Sequence, residues 1–121
     1  MDDKEIVGLV EPVKIVGKES VRIMGKFDTG ARRTSIDRKI VEDLNIETIG
    51  HVQVVNVHGK SRRPLVNLKL KIKDKVIETK ANVANRTSRR FKILIGRDII
   101  YGNFIIDITK SHKSPDAEDL L

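Results

Sequence analysis

From Pro64 onward the chain alternates with a period of two. Val66, Leu68, Leu70 and Ile72 stand on one side, and Asn67, Lys69, Lys71 and Lys73 on the other. Successive side chains of a strand point to opposite faces, so this segment is a strand with one dry and one wet face. The dry face needs a cover, which forces the rest of the chain to wrap it. Lys73-Asp74-Lys75 turns the chain into a return strand, Val76 to Ala84. Upstream, His51 to Val57 alternates in the same way and joins the segment through a hairpin turn at His58-Gly59-Lys60-Ser61.

The flanking segments extend this β pattern. Ile6 to Val10 and Val13 to Val16 are apolar runs split by Glu11-Pro12, and Pro12 marks an edge strand or a bend. Gly17 to Ser20 is a turn, and Val21 to Phe27 is a strand. Ser35 or Asp37 caps a short helix in which Ile36, Ile40, Val41 and Leu44 share a face, with Asn45 as its stop. Phe91 to Ile95 is a short buried strand, Gly96-Arg97-Asp98 opens a helical turn, and Asn103 to Ile108 is a last strand. Aromatics make up only 3% of the 121 residues, so the core is aliphatic. The expected class is mainly β, with one or two short helices. The expected organisation is a single domain over 1–110, followed by a disordered acidic tail over 111–121.

Composition narrows the chemistry. Cysteine is absent, which excludes disulfides, thiolate zinc sites and cysteine catalysis. The start of the chain does not resemble a signal peptide, and no apolar run nears the roughly 18 residues of a membrane span. The expectation is a cytoplasmic protein with no membrane partner. Net charge is +7, and Lys60 to Lys92 holds twelve Lys and Arg against Asp74 and Glu78. Such an excess favours anionic partners, or else a well-solvated surface.

The strand Val21 to Phe27 ends in Asp28-Thr29-Gly30, followed by Ala31. A carboxylate at a strand end, followed by a glycine, is presented at a tight turn facing a cleft. The chain has no second Asp-Thr-Gly or Asp-Ser-Gly. If Asp28 is half of a carboxylate pair, a second copy supplies the other half. The plain alternative is a β-turn in which Asp28 caps its own backbone.

The Asp-Thr-Gly-Ala turn, the long hairpin and Ile93-Leu94-Ile95-Gly96-Arg97-Asp98 together resemble the retropepsin-like aspartic proteases, half-size enzymes that work as homodimers. The stretches KFDTGARRTSID, RRPLVNLKL and ANRTSRRFKILIGRDII are also similar to a small prokaryotic family described as ATP-dependent zinc proteases, often associated with ATP-grasp glutamate ligases. The resemblance spans Glu5 to Ile108 and implies a retropepsin-like half-barrel, homodimeric. It implies catalysis by Asp28, Thr29 and Gly30, with Ala31, His58 and Gly59 around the substrate; the bias toward Arg over Lys in the two boxes flanking the motifs adds Arg32, Arg33, Arg89 and Arg90 as expected contacts to an acidic substrate. Gly96, Arg97 and Asp98 would brace the loop beneath, by ion pairing. No His-Glu-x-x-His helix and no Gly-rich phosphate loop with Lys-Ser/Thr accompany the family's zinc and ATP labels, so no metal or cofactor is expected. His51, His58 and His112 lack ligand spacing.

Two readings follow. The first is an aspartic endopeptidase acting on polypeptides, acidic glutamate-rich ones among them. Retropepsins usually carry an acidic residue after Asp-Thr-Gly-Ala, whereas Arg32-Arg33 follow here; these arginines either point into the cleft or pair with Asp98 and neighbours. The second is a non-catalytic module that binds an acidic peptide or nucleic acid on its basic face. Only Phe91 and Tyr101 are at hand for base stacking, which counts against nucleic acid.

Overall fold

The computed structural model describes residues 3–110. Nine strands and two short helices follow one another: β1 Glu5–Val7, β2 Val10–Ile15, β3 Val21–Phe27, β4 Ser35–Asp37, α1 Arg38–Asp43, β5 Thr48–Asn56, β6 Gly59–Ile72, β7 Lys75–Ala84, β8 Ile93–Ile95, α2 Arg97–Ile100 and β9 Phe104–Ile106. A single 3-10 turn, Ile108–Lys110, ends the described chain. The expected tail over 111–121 lies outside the described residues.

The main sheet has the order β2-β3-β8-β4-β7-β6-β5. A further pairing of β2 with β6, at Lys14↔Lys71 and Ile15↔Leu70, closes six of these strands on themselves. β5 stays outside, attached to β6 alone. The fold is mainly β, as the alternation implies. Its dry face is the expected one: Val66, Leu68, Leu70 and Ile72 are all buried, with Val13, Ile15, Phe27, Ile36, Ile93, Ile95 and Ile99 packed around them. Each such side chain contributes roughly 1.5–3 kcal/mol by leaving water.

Several boundaries differ from the sequence reading. Ser35–Asp37 is a buried strand, parallel to β7 and antiparallel to β8, so Ser35 does not cap the helix. Asp37 precedes α1, but its carboxylate is spent elsewhere: Oδ1 accepts the Arg86 amide at 2.7 Å. Asn45 does end the helix region, in the left-handed conformation (φ 54°) that its short polar side chain tolerates. The hairpin turn is tighter than expected. Asn56 pairs with Gly59, so Val57 and His58 form the tip and Lys60-Ser61 already belong to β6. Gly59 sits at φ 117°, a conformation costly for any residue with a Cβ.

The last expected strand is shortened to Phe104–Ile106 because it pairs only with β1, in parallel, as a separate two-stranded sheet. Ile6 and Ile105 are register partners and remain 51% and 48% exposed. Phe104 ties this small sheet to the main one, its ring edge-on to Phe27 at 5.6 Å. No helix among the described residues is long and apolar enough to cross a membrane.

Candidate active site

β3 and β8 run parallel, with Gly25 opposite Ile93 and Phe27 opposite Ile95. This register brings together two segments almost seventy residues apart, the Asp28 turn and the Gly96 turn. The Asp28 amide continues the ladder by donating to the Ile95 carbonyl at 2.8 Å. Beyond it the chain turns sharply: the Ala31 amide reaches the Asp28 carbonyl at 3.2 Å, and the Gly30 amide donates to Asp28 Oδ1 at 2.9 Å. One carboxylate oxygen is thereby fixed, and Oδ2 has no partner among the described residues. The half-buried Asp28 opens onto a cavity of about 520 Å³ lined by Leu9, Lys26, Phe27, Thr29, Ile106 and Ile108. Thr29 and Gly30 are exposed.

The Gly96 turn lies directly against the far side of this loop. A Cβ on Gly96 would fall 2.7 Å from the carbonyl carbon of Arg33 and 2.9 Å from the Thr34 nitrogen. Arg97 spans the two turns twice, its amide donating to the Ala31 carbonyl at 2.8 Å and Nη1 to the Thr29 carbonyl at 2.9 Å. Asp98 Oδ1 accepts both the amide and the hydroxyl of the buried Thr34 at 2.9 Å, and Oδ2 accepts the Thr79 hydroxyl at 2.6 Å. The Gly96 amide in turn donates to Thr34 Oγ1 at 3.1 Å. The expected ion pairing is replaced by hydrogen bonds: neither Arg32 nor Arg97 pairs with Asp98 among the described residues, and carbonyls, hydroxyls and amides do the work. Thr34 and Thr79 were not singled out by sequence. No local sequence signal marks Thr34 or Thr79, since the strand after Thr34 is only the short Ser35-Ile36-Asp37.

The arginines divide into two groups. Arg33 Nη1 donates to the Lys80 carbonyl at 3.1 Å, and Arg86 Nε to the Phe91 carbonyl at 2.8 Å, so both brace backbone. Arg32, Arg89 and Arg90 are exposed. Burial holds the Arg86 guanidinium below its usual pKa, and the nearby charges of Arg89 and Arg63 push the same way, while Asp37 and Asp28 oppose. Arg63, Arg86, Arg89, Asp37 and Asp28 thus share one electrostatic neighbourhood. The loop holding Arg86 and Arg89 is organised from within by Lys92. Its ammonium donates to the carbonyls of Arg86, Thr87 and Arg89 at 2.9, 2.7 and 2.7 Å.

His58 and Gly59 lie at the tip of the β5–β6 hairpin, with the His58 amide donating to Asn56 Oδ1 at 2.8 Å. No hydrogen bond links the tip to the Asp28 loop. The donor set does not fit a zinc ion: among the described residues no group of three His, Asp or Glu side chains converges.

Comparison with known proteins agrees with this geometry. A structure from Legionella pneumophila, a protein of unknown function, superposes with a TM-score of 0.66 at 27% identity, covering 89% of this chain and 96% of the other. The EIAV protease bound to the inhibitor HBY-793 gives 0.61 at 20% identity, covering 75% and 83%. The solution structure of the simian foamy virus protease gives 0.56 at 18% identity, covering 75% and 90%. The two viral proteases fix the retropepsin-like fold. No curated protein matches the sequence. The aspartyl protease family model matches residues 11–99, a span that includes both the Asp28 turn and the Gly96 turn, and the chain belongs to that aspartyl protease family.

Proposed function

We propose that this chain is an aspartic endopeptidase working as a homodimer, with the two Asp28 carboxylates facing each other across a two-fold axis. The observation that carries this is the setting of Asp28: one oxygen tied to the Gly30 amide, the residue itself lining a cavity, on a loop braced by Arg97 and Asp98. The single Asp-Thr-Gly calls for a second copy. The neighbouring surface suits one, because Ile108 of the cavity wall is 57% exposed and the β1–β9 sheet pairs with no further strand among the described residues and carries half-exposed isoleucines. An isologous contact there would set equivalent residues face to face.

The chemistry follows from charge. Two carboxylates about 3 Å apart cannot both ionise and share one proton. The ionised one takes a proton from water, whose oxygen attacks the peptide carbonyl carbon, while the protonated one donates to the carbonyl oxygen. Thr29 supports the loop across the axis, Gly30 and Ala31 let the substrate backbone approach, and the His58-Gly59 tip closes over it and excludes water. Arg32, Arg89 and Arg90 favour acidic, glutamate-rich substrate through bidentate contacts.

Asp28→Asn is nearly isosteric yet cannot take the proton. Cleavage of casein-like and glutamate-rich substrates should disappear while melting temperature and sedimentation stay unchanged. A strict monomer at micromolar concentration with substrate bound, or a fully active Asp28→Asn, would sink this reading. A second reading rests on charge: the charges of Arg63 and Arg89 act on the Arg86 guanidinium, and such a cationic neighbourhood can hold carboxylates without any hydrolysis. Under either reading Arg89→Ala/Arg90→Ala should weaken oligoglutamate binding about a hundredfold, since each desolvated charge pair is worth roughly 1.5–3 kcal/mol. Only the first reading couples that loss to a loss of cleavage.

A further inference from the structure

On the outer wall of the barrel, three cations stand in one row. Arg22 on β3 is the register partner of Lys14 on β2, and Lys14 is the register partner of Lys71 on β6. Adjacent strands lie about 4.8 Å apart, so the three backbone positions span roughly 10 Å. Like charges placed directly opposite one another destabilise a sheet. None of the three has a hydrogen-bond or ion-pair partner among the described residues.

Beside the row is the buried carboxylate of Glu11. It is already committed, with Oε2 accepting the Gly8 amide at 2.8 Å and Oε1 lying 3.4 Å from Lys73 Nζ. It therefore neutralises Lys73 and leaves the row uncompensated. These residues and Pro12 line an open cavity of about 320 Å³. The place is remote from Asp28. Arg22 is six residues back along β3, roughly 20 Å at the usual strand rise.

We propose that this cavity binds a small multivalent phosphate anion, an oligophosphate group that bridges Arg22, Lys14 and Lys71. Three charges converge on a space the size of a small ligand, with no aromatic face to stack a base. Lysine serves phosphate well as a point charge, and Arg22 adds a fork for two oxygens. The anion comes either free or as the phosphate chain of a nucleotide, and the two sources share this chemistry.

The test is calorimetric titration of the full chain at low salt with inorganic tripolyphosphate, a nucleoside triphosphate and the matching monophosphate. One equivalent of tripolyphosphate should bind per chain, and the monophosphate should bind at least tenfold more weakly. Equal binding of the triphosphate means that the phosphate chain alone is read. Weaker binding of the triphosphate means that the cavity takes the free anion. Lys14→Gln/Lys71→Gln should weaken tripolyphosphate about a hundredfold, at about tenfold for each of the two lost charge-assisted contacts. Its melting temperature without ligand should equal or exceed that of wild type, because a repulsion is removed. Tripolyphosphate should raise the melting temperature of wild type and not of the variant. Lys39→Gln/Lys80→Gln, which removes the same charge elsewhere, should keep wild-type affinity. The proposal is overturned by no binding, by an equal loss in the control pair, by unchanged affinity in Lys14→Gln/Lys71→Gln, or by a single-stranded oligonucleotide outcompeting tripolyphosphate.

Discussion

Asp98 holds Thr34 twice, taking its amide and its hydroxyl on the same oxygen at 2.9 Å. Thr34 is fully buried, so no water can replace those bonds. Asp98→Ala should cost about 2–3 kcal/mol in urea unfolding and displace the Asp28 loop. Asp98→Asn keeps one acceptor and should cost about 1 kcal/mol. Equal losses for the two variants would mean that the carboxylate oxygens are not what holds Thr34.

Gly96 has no room to grow. The atoms a Cβ would meet, at 2.7–2.9 Å, belong to the backbone of Arg33 and Thr34 and cannot rotate away. Gly96→Ala should cost about 3 kcal/mol or more, the upper end of overpacking. Gly50, with nothing within 4 Å of its Cβ position, serves as the control, and Gly50→Ala should leave the melting temperature within a few degrees. A stable Gly96→Ala protein with unshifted amide resonances at 28–34 would refute the close approach.

Lys92 gathers the carbonyls of Arg86, Thr87 and Arg89 on one ammonium. Lys92→Met keeps the aliphatic stem and removes the ammonium. Amide hydrogen exchange at 87–90 should speed up by about tenfold or more, as for a loop released from a clamp on three of its carbonyls. Exchange in β6 and β7 should not change. Unaltered exchange at 87–90 would assign the loop's order to its flanking strands.

Asp107 caps the 3-10 turn after β9. The Thr109 hydroxyl at 2.6 Å, and next its amide at 3.0 Å, hold the Asp107 carboxyl below its ordinary value of 3.8. A carboxyl depressed by folding contributes stability that is present above its unfolded value and is lost as pH falls through the folded one. By carbon-13 NMR, Asp107 should titrate below 3.8, and Thr109→Val should move the midpoint upward. Identical midpoints in both proteins would show that the hydroxyl has no part in it.

Much of this fold was legible because periodicity reports burial directly. Val66 to Ile72 and the Asp-Thr-Gly turn could be placed from local pattern alone. Ser35–Asp37 could not, since three residues carry no period and the strand exists only because β7 and β8 flank it. Asp37 looked like a helix cap, but its carboxylate is claimed by an amide forty-nine residues away. The pairing of Asp98 with hydroxyls escaped for the same reason. Sequence shows which charges exist, and only the register of β3 against β8 decides which donors reach them. Closure through Lys14↔Lys71 is likewise a relation between distant strands that neither segment announces.

β6 runs for fourteen residues through two different surroundings. From Val66 to Ile72 its inward side chains are locked in the barrel core, while from Gly59 to Arg63 its backbone pairs with β5 alone. One continuous strand is therefore both anchor and boom. Any torque on the tip at Val57 and His58 is delivered to the stretch around Pro64 and Leu65, where β7 takes hold opposite Asn82. Asn82 also receives Arg63 Nη1 at 3.0 Å and sits across from Ser35 on β4. The arm is in this way joined, through Asn82, to the strand that leads out of the Asp28 turn.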